Sequence, residues 1–250
     1  MKPDDFAEDA EAVLDAEIAK LPTELATAFQ TKLSVLRELL HDKLYQRLGW
    51  QPRCKPTVLK SGRILLPLYS DTYSISIMAY SDDDGKTWLT SKPLIGFGNI
   101  QPAVLEKKDG TLVAYMRENG PRQCIRVCES KDAGITWGDV RNSELPNPGS
   151  GLDGIRLQNG NWLLVYNDTV EGRHSLAVSV SDDEGQSWKW TRHLEQQKSG
   201  KYHYPAVIQG RDGTIHVVYS YFVDGGKSMK HVAINEAWIL QGDGAGGSHR

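Results

Sequence analysis

Ser81-Asp82-Asp83-Asp84-Gly85-Lys86-Thr87-Trp88 decides the fold, because it returns twice along the chain. The copies are Ser130-Lys131-Asp132-Ala133-Gly134-Ile135-Thr136-Trp137 and Ser181-Asp182-Asp183-Glu184-Gly185-Gln186-Ser187-Trp188, with starts 49 and 51 residues apart. Each octapeptide has the chemistry of a turn. Ser and Asp oxygens bond the local backbone, Gly supplies φ > 0, and Trp fills the gap between neighbouring sheets. A second marker, a turn glycine ahead of an apolar strand, recurs in phase. It reads Gly62-Arg63-Ile64-Leu65-Leu66, Gly110-Thr111-Leu112-Val113, Gly160-Asn161-Trp162-Leu163-Leu164 and Gly213-Thr214-Ile215-His216-Val217. The fourth copy implies a fourth unit, its octapeptide worn down to Ala233-Ile234-Asn235-Glu236-Ala237-Trp238. A period near 50 residues with about four strands per unit implies an all-β fold, the β-propeller. Each unit is expected to run strand, Gly turn, strand, loop, strand, Asp-Gly turn, strand.

Outward from the repeats, the expected organisation has three parts. Residues 1–50 read as an α-helical segment. Residues 51–240 hold the blades, at about 51–90, 98–140, 150–190 and 202–240, and residues 241–250 form a flexible Gly-rich tail. Within the first part, Leu25, Phe29, Leu33, Leu36, Leu40 and Leu44 recur at helical spacing, with Pro22 suited to the helix start and Gly49 to its end. A shorter acidic helix over about Phe6–Lys20 precedes it. The Leu-rich stripe reads as a packing or docking face.

Composition narrows the function classes. The chain of 250 residues is 39% hydrophobic and 24% charged, has seven Trp and carries a net charge of −3. It is too apolar for a disordered chain. No uncharged apolar run reaches the ~18–20 residues of a membrane span. The absence of a Lys/Arg cluster argues against nucleic acid as partner. The N-terminus has no apolar leader core, which points to the cytoplasm. Cys54, Cys124 and Cys128 read as free thiols, since four residues along a strand span roughly 13 Å, beyond disulfide reach. No Cys/His spacing suggests zinc, and the octapeptides lack the later ligands of a Ca²⁺ loop, so neither metal nor cofactor is expected.

Strand order assigns the two faces of the disc. Gly turns and Asp-Gly turns share one face, so chemistry is expected on the other, at the mouth of the channel. There the second strands end in Tyr69-Ser70-Asp71, Met116-Arg117-Glu118-Asn119, Tyr166-Asn167-Asp168 (with Arg173 beyond) and Tyr219-Ser220-Tyr221. The first strands enter through Arg53-Cys54-Lys55, Asn99-Ile100-Gln101, Ser150-Gly151-Leu152-Asp153 and Tyr202-His203-Tyr204. Arg, Asp, Tyr and His together suit an anionic or sugar ligand, because a guanidinium forks a carboxylate. Simpler roles stand beside these. Arg117 can pair with Glu118, Tyr204 can be inner-strand core, and Asp153 with Arg156 can form a structural ion pair. His203 can serve as a base or, by strand alternation, point outward.

The octapeptide is the Asp-box, and from about Gln51 to Trp238 the chain resembles the sialidase (neuraminidase) family of BNR-repeat propellers. The resemblance implies an acidic carbohydrate as partner. It also implies a retaining exo-glycosidase chemistry in which Arg117 and Arg173 clamp the substrate carboxylate and Tyr204 attacks. A phenol suits a sugar whose anomeric carbon already carries a carboxylate, and sialidases are the exception to the two-carboxylate rule. His203 is the candidate catalytic partner of Tyr204; Asn99, Gln101 and Asp153 are candidate substrate contacts. The chain also departs from the family. Amides, Asn99 and Gln101, stand where the family's glutamate falls. The Arg-Ile-Pro arginine and the acid/base aspartate have no counterpart, and four blades are visible where the family has six, as in an incomplete ring. Two other readings follow: a non-catalytic glycan- or protein-binding propeller, and a propeller polysaccharide lyase using Tyr204 and His203 on a uronic acid.

Overall fold

The structure, a computed structural model, describes residues 3–96 and 98–243, less the side chains of 3–4, 25 and 28–32. Helices α1 (Pro3–Ile18) and α2 (Thr23–His41) lead into four antiparallel sheets. Blade 1 holds β1 (Trp50–Pro52), β2 (Thr57–Val58), β3 (Ile64–Ser70), β4 (Ile75–Ser81) and β5 (Leu89–Thr90), with β1 and β2 both paired to β3. Blade 2 is β6 (Asn99–Glu106), β7 (Leu112–Glu118), β8 (Cys124–Ser130) and β9 (Arg141–Pro146). Blade 3 is β10 (Asp153–Arg156), β11 (Trp162–Tyr166), β12 (Ser175–Ser181) and β13 (Trp190–Gln196). Blade 4 is β14 (Lys201–Gln209), β15 (Ile215–Val223) and β16 (Gly226–Ile234), followed by the short helix α3 (Glu236–Leu240). The fold is the expected β-propeller arrangement of four blades with a helical N-terminal segment.

The octapeptides close as their chemistry requires. Ser81 Oγ accepts the Gly85 N–H at 2.8 Å, and Asp83 accepts the Thr87 N–H at 2.8 Å and its hydroxyl at 2.7 Å. Gly134 and Gly185 bond Ser130 and Ser181 in the same way, at 2.9 and 2.8 Å. The glycine is not alone in left-handed backbone. Asp84, Ala133 and Glu184 just before it have φ of 58°, 55° and 60°. Bonds from the Ser and Asp side chains hold that strained pair of residues in place.

Three apolar layers lie between successive blades. Leu65, Met78, Leu112 and Met116 join blades 1 and 2. Ala103, Ile125, Trp162 and Leu164 join blades 2 and 3, and Val178, Tyr202, Val217 and Tyr219 join blades 3 and 4. A fourth layer explains the helices. In β4, Met78 and Tyr80 face blade 2, whereas Ile75 and Ile77 face Phe6, Ala10, Leu14 and Leu40. The hairpin α1–α2 thus covers the face of blade 1 on which a preceding blade would pack. Each large apolar side chain buried there contributes roughly 1.5–3 kcal/mol. Phe6 meets Trp50 edge-on at 5.6 Å, and the Tyr73 hydroxyl donates to Leu39 O at 3.0 Å.

Three expectations change. Helix α2 stops at His41, where Asp42 caps the Leu44 N–H at 2.7 Å, so Leu44 lies outside the stripe and is 62% exposed. Gly49 therefore does not end that helix. The side chains of Leu25 and Phe29, and residues 244–250 of the Gly-rich tail, lie outside the described residues. The worn fourth octapeptide is no turn: Asn235 accepts the Trp238 N–H and caps α3. Without Ser or Gly the stretch cannot make the two left-handed residues, and Glu236-Ala237-Trp238 takes helix instead. Trp238 still closes the sheet, under Arg192, whose guanidinium sits 4.0 Å over its ring.

Candidate functional site

Side chains from three blades converge on one glycine of the remaining blade. A Cβ at Gly151 would stand 2.9 Å from Arg53 Nε, 3.0 Å from Gln101 Oε1 and 3.0 Å from Tyr204 Cδ1. Blades 1, 2 and 4 can approach blade 3 this closely because Gly151 has no side chain. Gln101 and Tyr204 occupy matching positions. Each has left-handed backbone, φ 59° and 50°, each precedes a proline, and each sits where strand register slips. Such residues cost of order 1–3 kcal/mol and persist where surrounding bonds impose them. Arg53 supplies two of those bonds: Nη1 donates to Leu152 O at 2.6 Å, and Nη2 to Pro205 O at 2.7 Å. Asp153, 2% exposed, adds a clasp of its own. It takes Lys55 Nζ through both oxygens at 2.9 and 2.8 Å, and the Val207 N–H at 2.9 Å. Asp153 is thus an ion-paired brace between blades 1, 3 and 4.

Tyr204 is 45% exposed and has two guanidinium carbons near its ring, Arg53 at 5.7 Å and Arg173 at 5.8 Å. Arg173 is itself fixed from behind. Its Nη2 donates to Gly149 O at 2.8 Å, and its Nη1 lies 2.6 Å from His203 Nδ1. Arginine stays protonated and can only donate, so Nδ1 accepts and the imidazole proton belongs on Nε2, a buried atom with no partner. Burial, then the charges of Arg173 and Lys201, hold His203 below the usual imidazole range. His203 is a neutral prop for Arg173.

The other expected residues divide. Arg117 is the last residue but one of β7; its Nη2 donates to Asn119 Oδ1 at 3.3 Å, and its Nε is buried without a partner. It does not pair with Glu118, whose carboxylate accepts the Gly120 and Arg122 N–H groups at 2.7 and 3.1 Å. Burial pushes the Glu118 carboxyl up. Glu118 O lies 3.5 Å from the Cβ position of Gly149, so the Arg117 end of β7 abuts the residue that holds Arg173. Asn99 does not join this group: its amide donates to Leu94 O at 2.9 Å and to Met116 Sδ at 3.4 Å, inside the junction of blades 1 and 2. Asp168, read as a mouth residue, turns instead to His193 Nε2 at 2.6 Å on the outermost strand of blade 3. Burial raises the Cys54 thiol to about 11, which leaves it protonated. Among the described residues, no three His, Cys, Asp or Glu form a group able to hold a metal ion.

In the sequence, Arg53 and Gly151 lie within the entering segments of the mouth but have no role assigned to them. The available signal was the residue after each strand entry: Pro56, Pro102, Gly154 and Pro205 align Lys55, Gln101, Asp153 and Tyr204 as equivalent positions around the mouth. The resulting mouth has Arg53 and Arg173 beside Tyr204, with Arg117 at the adjoining end of β7, while its nearby carboxylates Asp153 and Glu118 are buried and already bonded. That balance suits an anion.

Comparison with known proteins places the fold. The family described as BNR repeat-like domain matches residues 49–217. An anhydrosialidase of Macrobdella decora is 26% identical over 201 residues, covering 69% of this chain and 25% of that protein. A sialidase of Micromonospora viridifaciens is 25% identical over 174 residues, covering 66% of this chain and 26% of its own length. The chain therefore spans about a quarter of these curated relatives. Among solved structures, the leech intramolecular trans-sialidase superposes with a TM-score of 0.64 at 20% identity, over 74% of this chain and 32% of that one. A protein of unknown function from Dyadobacter fermentans gives 0.63 at 22% identity, over 75% and 54%.

Proposed function

We propose that this chain, which belongs to the BNR repeat-like family of sialidase-type propellers, binds an acidic sugar at the mouth beside Gly151 and processes it through Tyr204. Arg173 and Arg117 take the sugar carboxylate, where a planar guanidinium offers two parallel hydrogen bonds. The Tyr204 oxygen attacks the anomeric carbon as the glycosidic bond breaks, its proton passing through water to the departing oxygen; a second water then cleaves the tyrosyl–sugar bond, returns a proton to Tyr204 and releases the sugar with retained configuration. The observation that carries this reading is the exposed Tyr204 ring, on strained backbone, within 6 Å of both Arg53 and Arg173.

A second reading, binding without turnover, draws on Gln101. A phenol of ordinary pKa near 10 needs a proton acceptor. The polar groups that meet the Tyr204 ring at the Gly151 position are the Arg53 guanidinium and the Gln101 amide, neither of them a base, and His203 Nδ1 is engaged by Arg173. That engagement also leaves the lyase reading without its proton shuttle.

Incubation with a fluorogenic α-sialoside separates the readings. Release of fluorophore that Tyr204→Phe abolishes supports glycoside hydrolysis. Saturable binding of N-acetylneuraminic acid, lost in Arg117→Ala and unaccompanied by release, selects the binding reading. Neither binding nor release overturns both.

A further inference from the structure

On the Asp-box side of the disc, away from the mouth, a cavity of about 560 Å³ opens between blades 2 and 3. That lies within the range of small-ligand sites. Its apolar wall combines the rings of Tyr115 and Trp188 with Val113, Val127 and Leu145. Tyr115 stands edge-on to Trp188 at 5.7 Å, and the Tyr115 hydroxyl fills the space that a Cβ at Gly185 would need. Its polar wall is Glu129, held at 3.1 Å by both Lys107 and Arg141, together with Glu184 and Gln186.

The three octapeptides provide an internal control. Trp88 donates its indole N–H to Gly85 O at 3.0 Å, and Trp137 donates to Gly134 O at 3.2 Å. Trp188 makes no such bond; its Nε1 is neither bonded nor fully buried, and its ring lines the cavity. The third octapeptide thus gives up a hydrogen bond that the other two make and presents a free donor beside an aromatic surface.

We propose that this cavity is a second carbohydrate site, for a neutral pyranose. A pyranose offers a C–H face to the aromatic wall, hydroxyl acceptors to the Trp188 N–H and hydroxyl donors to Glu129, Glu184 and Gln186. An anion fits less well, because the two cations of the lining meet three carboxylates, Glu144 being the third. The two cations are also already bonded to Glu129.

The test uses the whole chain titrated with lactose, cellobiose and maltose, followed by calorimetry and by saturation-transfer NMR. At least one is expected to bind saturably. Trp188→Phe keeps an aromatic ring but lacks the donor, and weakens binding at least about fivefold, as does Gln186→Ala. Arg117→Ala, at the mouth, changes it by less than about twofold. Near-ultraviolet circular dichroism checks that both cavity variants stay folded. The proposal is overturned if none of the three sugars binds at tens of millimolar, or if folded Trp188→Phe binds as well as the unaltered chain. It is equally overturned if only an acidic sugar binds in a Trp188-dependent way. Failure of the mouth to bind sialic acid leaves this test unaffected.

Discussion

Arg173 rests on His203: the guanidinium Nη1 stands 2.6 Å from the imidazole Nδ1, so a neutral histidine holds the arginine that flanks Tyr204. Sequence alternation allowed His203 to point outward. Instead, at the register slip between His203 and Ala206, the consecutive side chains His203 and Tyr204 both stand near the same guanidinium.

From this contact follows a pH dependence of ligand binding. His203 must be neutral to accept from Arg173, and its environment lowers its pKa from 6.5. A depressed imidazole favours folding above 6.5, and that contribution is lost as pH falls below it. Affinity for an acidic sugar is therefore expected to be flat above pH 6.5 and to drop in acid. His203→Ala should weaken it about fivefold to tenfold at neutral pH and remove the acid drop. Titration calorimetry across pH 5–8 decides, and an unchanged acid drop in His203→Ala would sink the idea.

For the proposed hydrolysis, Gln101 is the departure that bears most directly on turnover. Its Oε1 reaches the same point above Gly151 as the Tyr204 ring, yet an amide cannot accept the phenolic proton. Gln101→Glu is expected to raise sialoside hydrolysis about 10²-fold, the lower range for an added general base. Steady-state rates read this directly. A folded Gln101→Glu variant with no gain would remove Tyr204 as nucleophile.

Arg53 ties three blades together with two short bonds to buried carbonyls. Its loss orphans Pro205 O, leaves Leu152 O with only the weak Cys54 thiol donor at 3.4 Å, and frees the strained Tyr204 backbone. Arg53→Ala is expected to cost about 2–3 kcal/mol and lower Tm by about 5–10 °C. Arg53→Lys, with one point donor in place of a fork, should recover less than half of that loss. Thermal denaturation of the three proteins gives the comparison.

A second histidine titrates in the opposite sense. His193 lies between Asp168, at 2.6 Å, and Asp243. The Asp168 hydrogen bond, helped by Asp243 against burial, raises its pKa from 6.5 to about 9. A raised imidazole contributes stability that is fully present below pH 6.5 and lost as pH rises through 9. With Asp243 half exposed, the contribution is about 1–2 kcal/mol after solvent screening. Tm should fall between pH 6.5 and 9.5, and His193→Gln should flatten that slope. A His193→Gln profile parallel to the parent would refute the assignment.

The chemistry legible in the sequence was local. Ser81, Asp83, Gly85 and Trp88 bond one another within eight residues, so their spacing specified the turn before any tertiary contact was considered. Repetition of that turn in phase with Gly62, Gly110, Gly160 and Gly213 was enough to imply blades and a propeller. The tertiary structure decided everything that depends on contacts distant along the chain. Only packing shows that Phe6 and Leu40 cover the face of blade 1 turned away from blade 2. Arg53 braces Pro205 from 152 positions away, and Lys55 neutralises Asp153 from 98. The slips at Gln101 and Tyr204, which turn those side chains toward Gly151, arise where an inner strand must bend to meet its neighbours around the axis. Short-range hydrogen bonds are written into residue spacing. Convergence at an axis is a property of the four blades together, and no single segment carries it.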